Sequence, residues 1–128
     1  VSEINLYNKF VLTEVSLDKS ALVNENVAII AVKSEINNVG DLLTANGWYT
    51  TEYISIAANS LMTITTSVHD NYGLVFYDNT KTVISGTVFT QSPQDVQVPK
   101  NAVYYRISSN DVESFSISYF IENDYSSE

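Results

Sequence analysis

Ser114-Phe115-Ser116-Ile117-Ser118-Tyr119-Phe120-Ile121-Glu122 sets Phe115, Ile117, Tyr119 and Ile121 on alternate positions, with Ser114, Ser116 and Ser118 between them. Side chains of a β-strand point to opposite faces in turn, so this spacing predicts a strand with an apolar core face. The serine face is then either wet or covered by something outside the chain.

Working outward from this segment, the same period of two returns in short runs closed by Asn, Asp, Gly and Pro, and no stretch keeps a capped helical period. Lys9–Val15 alternates. Val27–Lys33 is an unbroken apolar run, as in a strand buried on both faces. Glu35–Asn46 carries the turn signals Asn37-Asn38 and Gly40-Asp41, which predict a connection, with one short helical turn at Leu42 and Leu43. Trp48–Ile56 and Leu61–Val68 are expected to form a hairpin through Ala57-Ala58-Asn59-Ser60, and Gly73–Tyr77 and Thr82–Phe89 another through Asp78-Asn79-Thr80-Lys81. Val96–Val98 halts at Pro99, which cannot donate to a ladder and belongs at a strand end or edge. Val103–Ser108 leads through Ser109-Asn110-Asp111 to the final strand.

Eight or nine strands in a chain with only four glycines and two prolines predict an all-β fold, a jelly-roll-like antiparallel β-sandwich. Residues 1–122 are expected to form one domain, and Asn123–Glu128 a loose acidic tail.

Composition narrows the function. At 128 residues and 14.2 kDa the chain suits one domain, which by area scaling buries about two-thirds of its surface on folding. With no cysteine, packing and backbone pairing must hold the fold, and thiolate metal sites are excluded. The net charge is −9, and the six basic residues, Lys9, Lys19, Lys33, Lys81, Lys100 and Arg106, are scattered along the sequence. A nucleic-acid reader needs clustered cations, so nucleic acid and anionic membrane are poor partners, whereas neutral glycans suit this charge. The longest apolar run, Val27–Val32, is too short to span a bilayer, so no membrane insertion is expected and the domain is taken as soluble. No basic leader precedes Val1, and the missing initiator Met suggests a segment of something longer.

Four segments together resemble a jelly-roll, carbohydrate-binding-module-like domain of bacteriophage tail fibres and baseplate appendages, related to modules beside secreted bacterial enzymes. They are Asn5–Lys9; Gly47-Trp48-Tyr49-Thr50-Thr51-Glu52-Tyr53-Ile54-Ser55-Ile56; Gly73–Asp78 with Ile84-Ser85-Gly86; and Val98–Ile107. Where such domains often carry a Pro-Gly turn after the second segment, this chain has Ala58-Asn59-Ser60, and Asn and Ser can make that turn. The resemblance implies a viral protein of the virion tail or an extracellular appendage, a host-attachment role through cell-surface glycan, and other appendage subunits as partners, as in a homotrimer. Its alternative is a structural spacer or oligomerisation module without a glycan of its own.

A sugar site needs an apolar platform for the pyranose face and polar groups for its hydroxyls. Trp48, Tyr49, Tyr72, Tyr77 and Tyr104 supply candidate rings, and Asp78, Asn79 and Arg106 candidate polar partners, joined by Asp70 and Asn71. Each has a structural reading beside it. Trp48 can close a sandwich end, the loop His69–Gly73 can be a solvated turn, and Arg106, the only arginine, can pair with a carboxylate or stack on a ring. Tyr53 and Tyr105 are expected in the core, and Tyr104 and Arg106 on the face opposite Tyr105 and Ile107. Catalysis has little to work with: His69 is the only histidine and no nucleophile elbow or carboxylate pair stands out. No enzyme activity, cofactor or metal is expected; calcium at Asp70, Asn71 or Asp78 is the weakest of these readings, since no EF-hand loop is present.

Overall fold

The structure is a computed structural model and describes residues 10–33, 38–66 and 72–124. Ten strands follow one another among the described residues: Phe10–Leu17 (β1), Asn24–Lys33 (β2), Asn38–Thr50 (β3), Ile54–Ser55 (β4), Leu61–Thr65 (β5), Tyr72–Tyr77 (β6), Val83–Val88 (β7), Gln94–Gln97 (β8), Tyr104–Ser109 (β9) and Ser116–Asp124 (β10). They form two antiparallel sheets packed face to face. One runs β1-β10-β5-β8, the other β2-β3-β9-β6-β7 with β4 added against β9.

Leaving aside β2 and β4, the first remaining strand pairs with the last, β1 with β10. Inward from there, β3 pairs with β9, β5 with β8 and β6 with β7. This is a long hairpin rolled into two sheets, the jelly-roll arrangement that the alternation predicts. Of these four pairs only β6–β7 is local in sequence.

Alternation places the core as expected. Met62 and Ile64, Leu74 and Phe76, Tyr105 and Ile107, and Phe115, Ile117 and Tyr119 all turn inward and are buried, joined by Phe89, Val96 and Val98. Complete burial of side chains of this size contributes roughly 1.5–3 kcal/mol each. Ser114 and Ser116 of the final strand segment face solvent and Ser118 is half-buried.

Three local expectations give way to long-range pairing. Trp48–Ile56 and Leu61–Val68 are not a hairpin: β3 and β4 belong to one sheet and β5 to the other, where it lies between β10 and β8. Ala57–Ser60 is therefore an arch between sheets, with Asn59 left-handed at φ 66° and the Ser60 hydroxyl donating to the Ala57 carbonyl at 2.6 Å. A short polar turn between alternating runs has the same sequence in either role. Of the stretch expected as a connection with a helical turn, residues 38–46 are instead most of β3, held extended by their ladder to β2 (Ile29 opposite Leu42, Ala28 opposite Leu43), and residues 35–37 lie outside the described residues. Leu42 and Leu43 stay exposed. Finally, β10 continues through Asn123 and Asp124, opposite Val11 and Phe10, two residues into the expected tail; the remaining tail, like His69, Asp70 and Asn71, lies outside the described residues.

The β2–β3 hairpin also explains the apolar run Val27–Val32. In the sheet β2 is an edge strand, yet it packs across β6 and β9, so that Ile29 meets Val75 and Tyr77 in a second, smaller core on the outer face. The bend that allows this is a bulge between Glu25 and Val27. Asn26 (φ 62°) and Gly47 (φ 82°) are both left-handed there, and the Gly47 amide donates to the Asn26 side-chain oxygen at 3.2 Å.

Candidate functional site

On β9, Tyr105 and Ile107 point into the main core, so Tyr104 and Arg106 point outward, as their parity predicts. Antiparallel register sets Tyr104 opposite Tyr77 and Arg106 opposite Val75 of β6. Tyr53 stands over this corner. Its neighbour Ile54 pairs with Tyr105 and packs on the main core, which turns Tyr53 to the outer side. Tyr53 is thus half-buried and outward rather than in the core, a correction to the sequence expectation; Tyr105 is in the core as expected.

The rings and cations meet edge to face. Tyr53 lies 4.9 Å from Tyr77 and 6.2 Å from Tyr104, centroid to centroid, at interplanar angles of 69° and 75°. The Arg106 guanidinium carbon is 4.7 Å from the Tyr53 centroid, and the Lys81 ammonium is 4.7 Å from that centroid and 5.6 Å from that of Tyr104. Both cations are within the reach at which the negative ring face attracts them. Arg106 is 7 % exposed, and its Nε donates to the Thr51 carbonyl at 3.0 Å. Of the two structural roles expected for Arg106, stacking on a ring is the one it adopts. Among the described residues the single ion pair is Lys19–Glu113.

Lys81 reaches the cluster from the β6–β7 turn. Asp78 Oδ1 accepts from the Thr80 amide (2.9 Å), the Thr80 hydroxyl (2.7 Å) and the Thr82 amide (3.0 Å), which closes the turn and leaves Lys81 left-handed at φ 63°. The hydrogen bond from the Thr80 hydroxyl, followed by that from the Thr82 amide, holds the Asp78 carboxyl below the usual carboxylate range. Asp78 is therefore occupied by its own turn, and Asn79 is exposed at the tip.

Tyr77 is 2 % exposed, so it offers no open platform, contrary to the sequence expectation. The β2 strand covers it. Its hydroxyl is buried without a hydrogen-bond partner, and burial, followed by the neighbouring Tyr53, pushes the phenol up to about 12.

The remaining candidates lie elsewhere. Tyr49 pairs with Ser109, five residues along β9 from Tyr104, hence roughly 17 Å away at strand rise. Its ring packs against the main core and its hydroxyl donates to Glu25 at 3.4 Å. Trp48 is half-buried in the bulged part of β3. Tyr72 opens β6 opposite Val88, and its side chain is outside the described residues. The structure thus gathers Tyr77, Asp78, Asn79, Tyr104 and Arg106 at one corner, adds Tyr53 and Lys81, and leaves Trp48, Tyr49 and Tyr72 apart.

A second feature occupies the opposite sheet. Ser16, Asp18, Ser20, Ser116 and Ser118 line an open groove of about 510 Å³ floored by Leu17 and Ile117. Asp18 is engaged by Ser20 through its amide (2.9 Å) and hydroxyl (2.6 Å). No ring lines it.

Among the described residues, no three of His, Cys, Asp and Glu gather where they could hold a metal ion, and no helix is long and apolar enough to cross a membrane. No family model, curated protein or solved structure matches the chain.

Proposed function

We propose that this domain is a non-catalytic glycan-binding module, of the kind borne by phage tails and other extracellular appendages, and that the tyrosine–cation corner is its sugar site. The observation that carries the reading is the pair of half-buried rings, Tyr53 and Tyr104, fixed nearly perpendicular on a rigid sheet beside two hydrogen-bond-donating cations. A pyranose offers the matching chemistry, an apolar C–H face rimmed by hydroxyls. Supporting it, three of the four segments that resemble such modules feed this same sheet: Gly47–Ile56 contains β4, Gly73–Asp78 contains most of β6 and Val98–Ile107 contains most of β9. The serine-lined groove has hydroxyls but no ring to stack a sugar.

The test is a glycan array on the isolated domain, followed by titration of the best oligosaccharide against Tyr104→Ala and Tyr53→Ala. Binding should be lost in both while the β-sheet circular dichroism persists. Undiminished binding in both would remove this corner from the site.

One observation favours assembly as a second reading. Leu61 and Phe120 are 52 % and 50 % exposed and adjoin the inward pair Met62–Tyr119, so both emerge on the outer face of the four-stranded sheet. A glycan-blind domain that runs as a stable trimer in light scattering would support a spacer or oligomerisation role instead.

A further inference from the structure

Six basic residues serve a chain of net charge −9, and two of them converge on one ring. Lys81 and Arg106 each lie 4.7 Å from the Tyr53 centroid, so at most about 9 Å separates the charges. Among the described residues neither has a carboxylate within ion-pair distance, although acidic residues outnumber basic ones by more than two to one. The lone ion pair of those residues is spent on Lys19 and Glu113 at the surface. Arg106 is itself 93 % buried, and its one hydrogen bond to the described residues is from Nε to the Thr51 carbonyl, which leaves other donors of the five-donor fork for a ligand. Beside it the Tyr77 hydroxyl, within electrostatic reach of Arg106 and Tyr53, is buried and has no partner. Buried cations and hydroxyls are ordinarily satisfied. Here two cations without a carboxylate partner among the described residues meet at one corner.

We infer that the sugar taken here is acidic, its carboxylate received by Lys81 and Arg106 while its C–H face rests on Tyr104. The inference rests on the glycan reading and narrows it to a ligand class. A guanidinium meets a carboxylate through two parallel hydrogen bonds, which neutral hydroxyls cannot reproduce. The overall negative charge does not forbid such a ligand, because at physiological salt fields are screened beyond about 8 Å and the two local cations dominate at contact. Lys81, exposed and mobile on its four-carbon stem, can leave the ring face to meet the ligand.

The experiment is an array carrying uronate-containing, sialylated, sulfated and neutral oligosaccharides, with calorimetric titration of a carboxylated hit against its methyl ester. The ester keeps the skeleton and removes the charge. The acid should bind about tenfold or more tightly than the ester, and less so as salt rises. Lys81→Asn should sharply reduce the acid's advantage over the ester while the fold persists, since Asn tolerates the left-handed backbone at this position and only exposed cation–π contacts are lost. Equal affinity for acid and ester, or hits confined to neutral sugars, would overturn the acidic assignment and leave the glycan reading standing. Hits confined to sulfated sugars would overturn the carboxylate. A carboxylated hit indifferent to Lys81→Asn would move the site elsewhere, and an array without any hit would overturn both readings together.

Discussion

The backbone amide of Ile29 donates to the hydroxyl of Ser108 at 2.7 Å, across 79 positions of sequence. Proton counting fixes the rest of the chain of bonds. Thr50 spends its hydroxyl proton on the Val27 carbonyl at 2.9 Å, so in the 2.7 Å contact between Thr50 and Ser108 the serine must donate and the threonine accept. Ile29, Thr50 and Ser108 are all buried, and this relay ties the β2–β3 hairpin to β9 and lays it over Tyr77.

Ser108→Ala removes the hydroxyl that accepts from the Ile29 amide at a buried position and donates to Thr50. The expected cost is about 1–3 kcal/mol in urea unfolding, with faster hydrogen exchange at Ile29 than in β10. An unfolding midpoint and an Ile29 exchange rate both equal to the parent's would show that the relay holds nothing.

The bulge that lets β2 bend depends on Gly47. A Cβ added there meets nothing within 4 Å, so any penalty must come from the backbone, which sits at φ 82°. Gly47→Ala should therefore cost about 1 kcal/mol without disturbing packing. A stabilised variant would mean that the left-handed turn is not kept in solution.

Arg106 joins two tasks in one planar group, the hydrogen bond to Thr51 and the contact with the Tyr53 face. Lysine at this position is a point charge on a shorter reach and cannot serve both at once. Arg106→Lys is expected to lower stability by about 1–2 kcal/mol, through weaker cation–π contact and a poorer bond to a buried carbonyl. Thermal unfolding checks this, and a variant as stable as the parent would show that the arginine is held only loosely.

Alternation identified the core strands because Met62, Ile64, Leu74, Phe76, Tyr105, Ile107, Ile117 and Tyr119 fall on every second position and are buried, and the two-residue period assigns their faces. Pairing was a different matter. Ala57–Ser60 has the residues of a hairpin turn and serves as an arch, since which sheet receives β5 depends on β8 and β10, more than 30 positions away. Parity placed Tyr104 and Arg106 correctly on the outer face. The core expectation for Tyr53 leaned on its apolar neighbour Ile54, but Ile54 takes the inward position in β4 and turns Tyr53 to the outer side. Lys81 carried no signal as a turn residue, and its contact with two rings exists only once the β6–β7 turn folds back beside β9. The hydroxyl relay was equally hidden, because Thr50 and Ser108 resemble any surface threonine and serine until the hairpin covers them.

Three buried phenols make stability depend on alkali. Burial is the leading cause of an upward shift at Tyr77, Tyr105 and Tyr119; it takes Tyr77 from an ordinary 10.0 to about 12 and Tyr105 further. An unfolded chain surrenders these protons from about pH 10, while the folded chain keeps them, so above that pH the unfolded state binds fewer protons and stability must fall as pH rises. The contribution is fully present below about pH 10. For Tyr77 alone the loss is about 2 kcal/mol at pH 12, where its folded form also ionises and the decline levels off. The thermal midpoint should therefore stay flat from neutral pH to about 9 and then drop steadily, with these three tyrosines ionising later than the exposed ones while the sheet persists. Tyr105→Phe, which removes the most strongly shifted group without emptying its place in the core, should make the drop shallower. Phenolate absorbance from every tyrosine in the chain together at about pH 10, with the sheet intact, would mean that these rings are open to hydroxide, and that neither the core nor the covered corner at Tyr77 is closed.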